Sequence, residues 1–79
     1  MKFAYIVITG SSDATRFSIP LHLAANGSLE VGHEVTMVFA GDGTEILLGD
    51  NLERMEGVGV PPVRDLMARL VDGGATVYI

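Results

Sequence analysis

The chain has 79 residues, 48% of them apolar and 19% charged, and ten acidic against five basic side chains leave a net charge of −5. That composition excludes intrinsic disorder, and the scattered Lys2, Arg16, Arg54, Arg64 and Arg69 form no basic patch for a nucleic acid or an anionic membrane surface. No cysteine is present, so disulfides, thiolate metal sites and cysteine nucleophiles are excluded within these residues.

A chain of this size forms one domain at most and buries only ~60% of the surface that its unfolded form exposes, so a homo-oligomer is a natural way to gain stability. The longest uncharged apolar run, residues 3–8, falls far short of the ~20 residues of a membrane span. It also lacks the length and cleavage site of a signal peptide, so the expected compartment is the cytoplasm. The sequon at Asn26-Gly27-Ser28 is then a chance match.

Residues 3–8, FAYIVI, are continuously apolar and rich in β-branched and aromatic side chains, the pattern of a strand covered on both faces. Gly10, Ser11, Ser12 and Asp13 supply turn and cap chemistry, and a helix is expected to begin near Asp13. Its apolar residues Phe17, Ile19, Leu21, Leu23, Ala24 and Ala25 spread over more than one stripe, which suggests cover on two sides, one of them a neighbouring subunit. Pro20 removes a backbone donor and crowds the Arg16 carbonyl, which predicts a kink. Asn26-Gly27 resembles a C-cap, but one glycine costs only ~1 kcal/mol inside a helix, and Gly32 is the firmer stop.

A second strand is predicted over residues 35–40, ending at Gly41, Asp42, Gly43 and Thr44. One irregular helix or two short ones follow, weakened at Gly49. Pro61-Pro62 opens the last helix, whose Val63, Leu66, Met67, Leu70 and Val71 recur at spacings of three and four, with Asp65 and Arg69 placed to pair across one turn. Gly73-Gly74 ends it, and residues 75–79 return as a strand in which Thr76 and Tyr78 share a face that meets a subunit or solvent. The expected fold is α/β: three α/β/α layers around a small parallel sheet, in the order β-α-β-α-α-β with right-handed crossovers. The two-sided apolarity of residues 3–8 favours strand order 2-1-3, with the first strand central.

In such sheets ligands gather at the carboxyl ends of the strands. The candidate ligand-binding residues are therefore Gly10, Ser11, Ser12, Asp13 and Arg16 after the first strand and Gly41, Asp42, Gly43 and Thr44 after the second. No dinucleotide fingerprint or phosphate loop is present, since Ile46 stands where the third glycine belongs and no lysine follows a glycine-rich turn. Asp13, Asp42 and Glu45 make the rim acidic, which repels phosphate and makes Asp13 and Asp42 candidates for holding a divalent cation. Helix capping is the plainer role for both. Ser11 and Ser12 have no base nearby in sequence, and His22 and His33 lie too far apart along the expected fold to meet. Met37, Met55 and Met67 fall on core-facing periods.

Taken in order, the opening strand with Gly10, Ser11, Ser12, Asp13 and Arg16, the run GHEVTMVF at residues 32–39, the turn Gly41-Asp42-Gly43, and Pro61-Pro62 leading to Gly74 resemble the DsrE/DsrF-like family over nearly the whole chain. The resemblance implies a Rossmann-like or flavodoxin-like α/β fold and assembly as trimers or hexamers. Several members relay sulfur as a cysteine persulfide, on a cysteine just after the strand that residues 75–79 resemble. That position falls beyond Ile79, so the resemblance implies a domain without the family's C-terminal segment. Persulfide transfer needs a thiolate, so this chain cannot itself carry it. Two expectations remain: a non-catalytic oligomeric binding or interaction subunit that needs no cofactor, or a binder of a small ligand or divalent cation, or a weak enzyme, that uses the acidic turns.

Overall fold

The computed structural model describes residues 1–79. Three strands, β1 (Lys2–Val7), β2 (Glu34–Phe39) and β3 (Thr76–Tyr78), form a parallel sheet. The helices between them are α1 (Ala14–Leu23), α2 (Asn51–Arg54) and α3 (Val63–Asp72), so the fold is α/β in the expected order. The register pairs Phe3 with Val35, Tyr5 with Met37 and Val7 with Phe39, and Met37 in turn pairs with Val77.

The strand order is β1-β2-β3, so β2 is central and the first strand lies at an edge, contrary to the expectation from its apolar run. The layering follows from that order. Two right-handed crossovers that advance in the same direction place their helices on the same face of the sheet. Val7, Val35, Met37 and Phe39 accordingly pack with Phe17, Leu21, Leu66 and Leu70 in one buried cluster, which Tyr5 and Val77 flank. The other face carries Ala4, Ile6, Thr36, Val38, Thr76 and Tyr78, none of them buried, with Ile6 65% and Tyr78 60% exposed. The expected third layer is therefore missing, and the protein has two layers with one bare sheet face. As anticipated, Thr76 and Tyr78 share the uncovered side.

Local signals set the element ends. Asp13 caps α1 by accepting the Arg16 amide on Oδ1 at 3.0 Å, and Pro20 lies inside the helix without ending it. Past Leu23 the winding widens to a π-helical turn, Ala24–Ser28, that runs through Asn26 and Gly27. The chain then leaves at Gly32, whose φ of +90° suits glycine. A 3-10 stretch, Gly41–Leu47, starts earlier than expected, and α2 is the second of the two short pieces. Asp65 and Arg69 do not pair. The end of the first helical unit brings Glu30 alongside the last turn of α3, where Arg69 reaches it at 2.8 Å, and Asp65 lies 3.7 Å from Arg64 instead. Met37 and Met55 are buried and Met67 partly so, as their spacing indicated. No helix is long and apolar enough to cross a membrane.

Candidate functional site

The two turns singled out in the sequence do meet at the carboxyl edge of the sheet. The Ala40 amide donates to the Val7 carbonyl at 3.0 Å, which carries the β1–β2 pairing one step into the loops. Gly41 then turns with φ +55°, and the Gly43 amide donates back to the Ala40 carbonyl at 2.9 Å. Gly43 rests directly on the Val7 carbonyl, so closely that a β-carbon there has no room. Thr44 Oγ1 donates to the Gly41 carbonyl at 2.8 Å, a bond internal to its own turn.

Glu45 ties the two turns together. Its Oε1 accepts the Ser11 amide at 2.7 Å and the Ser11 hydroxyl at 3.0 Å, and the carboxylate lies against Gly10, where a β-carbon would collide with it. The sequence marks Glu45 only as one of three acids on the rim. Its bridging role had one legible signal: a turn of small residues offers unpaired N–H and O–H donors, and a carboxylate two residues after Gly43 is within reach of them. A third segment closes the rim, because the Val58 amide donates to Thr15 Oγ1 at 3.0 Å and Gly57 sits against the backbone of Thr15. Nothing in the sequence pattern indicates that contact.

These bonds limit the chemistry available at the rim. Ser11 has an acceptor in Glu45, but a carboxylate also engaged by the Ser11 amide, with no imidazole behind it, is a poor general base for an alkoxide. Asp13 is occupied on both oxygens, by the Arg16 amide on Oδ1 and by Arg16 Nε 3.6 Å from Oδ2. Asp42 and Ser12 are exposed, and no group of three His, Cys, Asp or Glu residues converges anywhere to hold a metal ion. His22 Nδ1 lies 2.9 Å from the Asn26 amide nitrogen on the side of α1, whereas His33 sits at the amino end of the sheet, edge-on to Phe3 with ring centroids 5.1 Å apart. The two histidines are not brought together.

The grooves of the surface do not lead into this rim. One of about 300 Å³ runs from Ile6, Val7, Ile8 and Thr9 to Arg16, Ile19 and Pro20, so Arg16 is the only candidate residue it touches. Two others, of about 430 and 340 Å³, lie around Leu29 and Gly73 at the far end of the molecule. Of the candidate residues, Ser11 joins the two turns through Glu45, whereas Asp13 with Arg16 and Thr44 with Gly41 bond within their own turns. No family model, curated protein or solved structure matches the chain.

Proposed function

We propose that this chain is a cysteine-free DsrE/DsrF-like domain of the cytoplasm that works as a homo-oligomeric interaction subunit and not as a catalyst. The bare sheet face carries this reading. Parallel sheets are normally covered on both sides, and here Ala4, Ile6 and Tyr78 are exposed and Val38 is half-buried, while only 17 of 79 residues are buried. A contiguous apolar patch of this kind is characteristic of an interaction surface. The carboxyl-edge junction supports the reading from the other side, since Ser11, Asp13 and Thr44 each bond to a neighbour in the chain. Assembly as a trimer or hexamer follows the family resemblance.

Sedimentation through the micromolar range tests the reading, because a chain that draws stability from association melts at a temperature that rises with its concentration. The expected result is a reversible oligomer whose melting temperature rises with concentration. A strictly monomeric protein that stays folded at every concentration overturns it.

A further inference from the structure

We infer that Asn26 is a site of spontaneous modification: its side-chain amide is lost as ammonia through a cyclic imide with Gly27, at a rate set by opening of the π-helical turn.

The reaction needs only water. The Gly27 backbone nitrogen attacks Asn26 Cγ, so an N–Cγ bond forms and the Cγ–Nδ2 bond breaks, and the proton given up by the Gly27 amide leaves with Nδ2 as ammonia. Water then opens the imide at one of its two carbonyls. Addition at Cγ gives aspartate, and addition at the main-chain carbonyl gives isoaspartate. Glycine in second place favours ring closure, because no β-carbon crowds the attacking nitrogen.

The fold singles out this dipeptide. The other asparagine, Asn51, precedes the branched Leu52, is 7% exposed and has both ends of its amide held: Nδ2 donates to the Glu45 carbonyl at 2.7 Å and Oδ1 accepts from Arg54 at 2.7 Å. Asp42-Gly43 and Asp72-Gly73 have carboxylates, poorer electrophiles than an amide, and their glycine nitrogens are engaged, Gly43 donating to the Ala40 carbonyl at 2.9 Å and Gly73 to the Arg69 carbonyl at 3.0 Å. Asn26, Gly27 and Ser28 are only half-buried, and a β-carbon on Gly27 would meet nothing within 4 Å, so no neighbouring element clamps the turn there.

A helical backbone keeps the Gly27 nitrogen out of reach of Asn26 Cγ, so the turn must open first. Few bonds oppose that. Ser28 Oγ meets the Tyr5 hydroxyl at 2.6 Å, Asn26 Nδ2 lies 2.9 Å from His22 Nδ1, the Leu29 amide donates to the Ala24 carbonyl at 2.9 Å and the Val31 amide to the Gly27 carbonyl at 3.2 Å. Leu23 brings no side-chain cap, and glycine weakens a helix by ~1 kcal/mol. Ala24 and Ala25 stay anchored in the core, which confines the opening to the residues that follow and makes it cheaper than unfolding the whole domain. Isoaspartate routes the main chain through the side-chain carbon, one atom longer, so the turn does not close again in the same register and Ser28 is carried away from Tyr5.

The test incubates the folded protein in mildly alkaline buffer beside the same protein unfolded in urea, and follows both asparagines by mass spectrometry of the tryptic fragment from Phe17 to Arg54. Conversion is expected at Asn26 and not at Asn51, at least ~10-fold slower in the folded protein than in urea. Tyr5→Phe and Ser28→Ala each remove the bond between these hydroxyls and are expected to speed conversion ~5-fold in the folded protein and not at all in urea. Val35→Thr, which weakens the core away from the turn, is expected to leave the folded rate unchanged. Equal acceleration by Val35→Thr overturns local opening as the gate. So does a folded protein that reacts at the urea rate, or one that neither Tyr5→Phe nor Ser28→Ala accelerates. Asn26 reacting no faster than Asn51 in the folded protein overturns the site itself.

Discussion

The two faces of the sheet are written in similar residues and meet different surroundings. Toward the helices stand Tyr5, Val7, Val35, Met37, Phe39 and Val77, and toward water stand Ala4, Ile6, Thr36, Val38, Thr76 and Tyr78. Hydrophobicity does not separate Val7 from its neighbour Ile6, yet Val7 is 1% exposed and Ile6 65%. What separates them is topology: strand order 1-2-3 with a uniform crossover hand sends both helical connections to one side. A face can therefore be apolar by sequence and bare by topology, and such a face is where association is to be sought.

The comparison breaks first at Phe39. Its ring stacks on Phe17 with centroids 5.7 Å apart, both side chains fully enclosed in the helix-side core. Phe39→Ala is expected to cost about 3–5 kcal/mol in urea unfolding, enough to consume most of the stability of so small a domain. A loss below ~1 kcal/mol would mean that this face is no better packed than the bare one. Next is Gly43→Ala, which drives a methyl group into the Val7 carbonyl at the junction of the two turns. About 1–3 kcal/mol of destabilisation is expected, with amide shifts in NMR spectra spreading to Ser11 and Glu45. Shifts confined to the 3-10 stretch would show that the junction does not hold β1 and β2 together at that edge.

The sequence carried the order of elements well because local chemistry controls it. Asp13 as a cap, Gly32 as a stop, Pro62 before α3 and Gly74 after it all act within a few residues, and each lies where its chemistry put it. The π-helical turn was less legible, since whether Gly27 ends or continues a helix depends on what packs beside it, and Ala24 and Ala25 are held in the core. Strand order was misread for a similar reason. The unbroken run from Phe3 to Ile8 implies two covered faces, but periodicity does not reveal whether the second cover belongs to the same chain. At the rim, proximity of the two turns was legible from the α/β topology. That Glu45, rather than another rim acid, takes up the Ser11 donors depends on a contact between residues 34 positions apart, so the small-residue turn indicates a need for an acceptor without naming it.

The finest test uses one substitution on both faces of a single strand. Val35 and Val38 both belong to β2, Val35 buried on the helix side and Val38 half-buried on the bare side. Threonine keeps the β-branch and nearly the volume of valine, so strand propensity is matched and the change reports what surrounds the new hydroxyl. Val35→Thr puts that hydroxyl into an apolar cluster and is expected to cost about 1–3 kcal/mol at any protein concentration. Val38→Thr is expected to stay within ~0.5 kcal/mol in dilute solution, where water reaches the hydroxyl. Raising the concentration sharpens the distinction. If the bare face is covered in the assembled state, the Val38 variant falls progressively behind the native protein in melting temperature as concentration rises, while the deficit of the Val35 variant stays constant. A Val38 deficit that does not change with concentration places the association elsewhere and leaves this face to water in the oligomer as well.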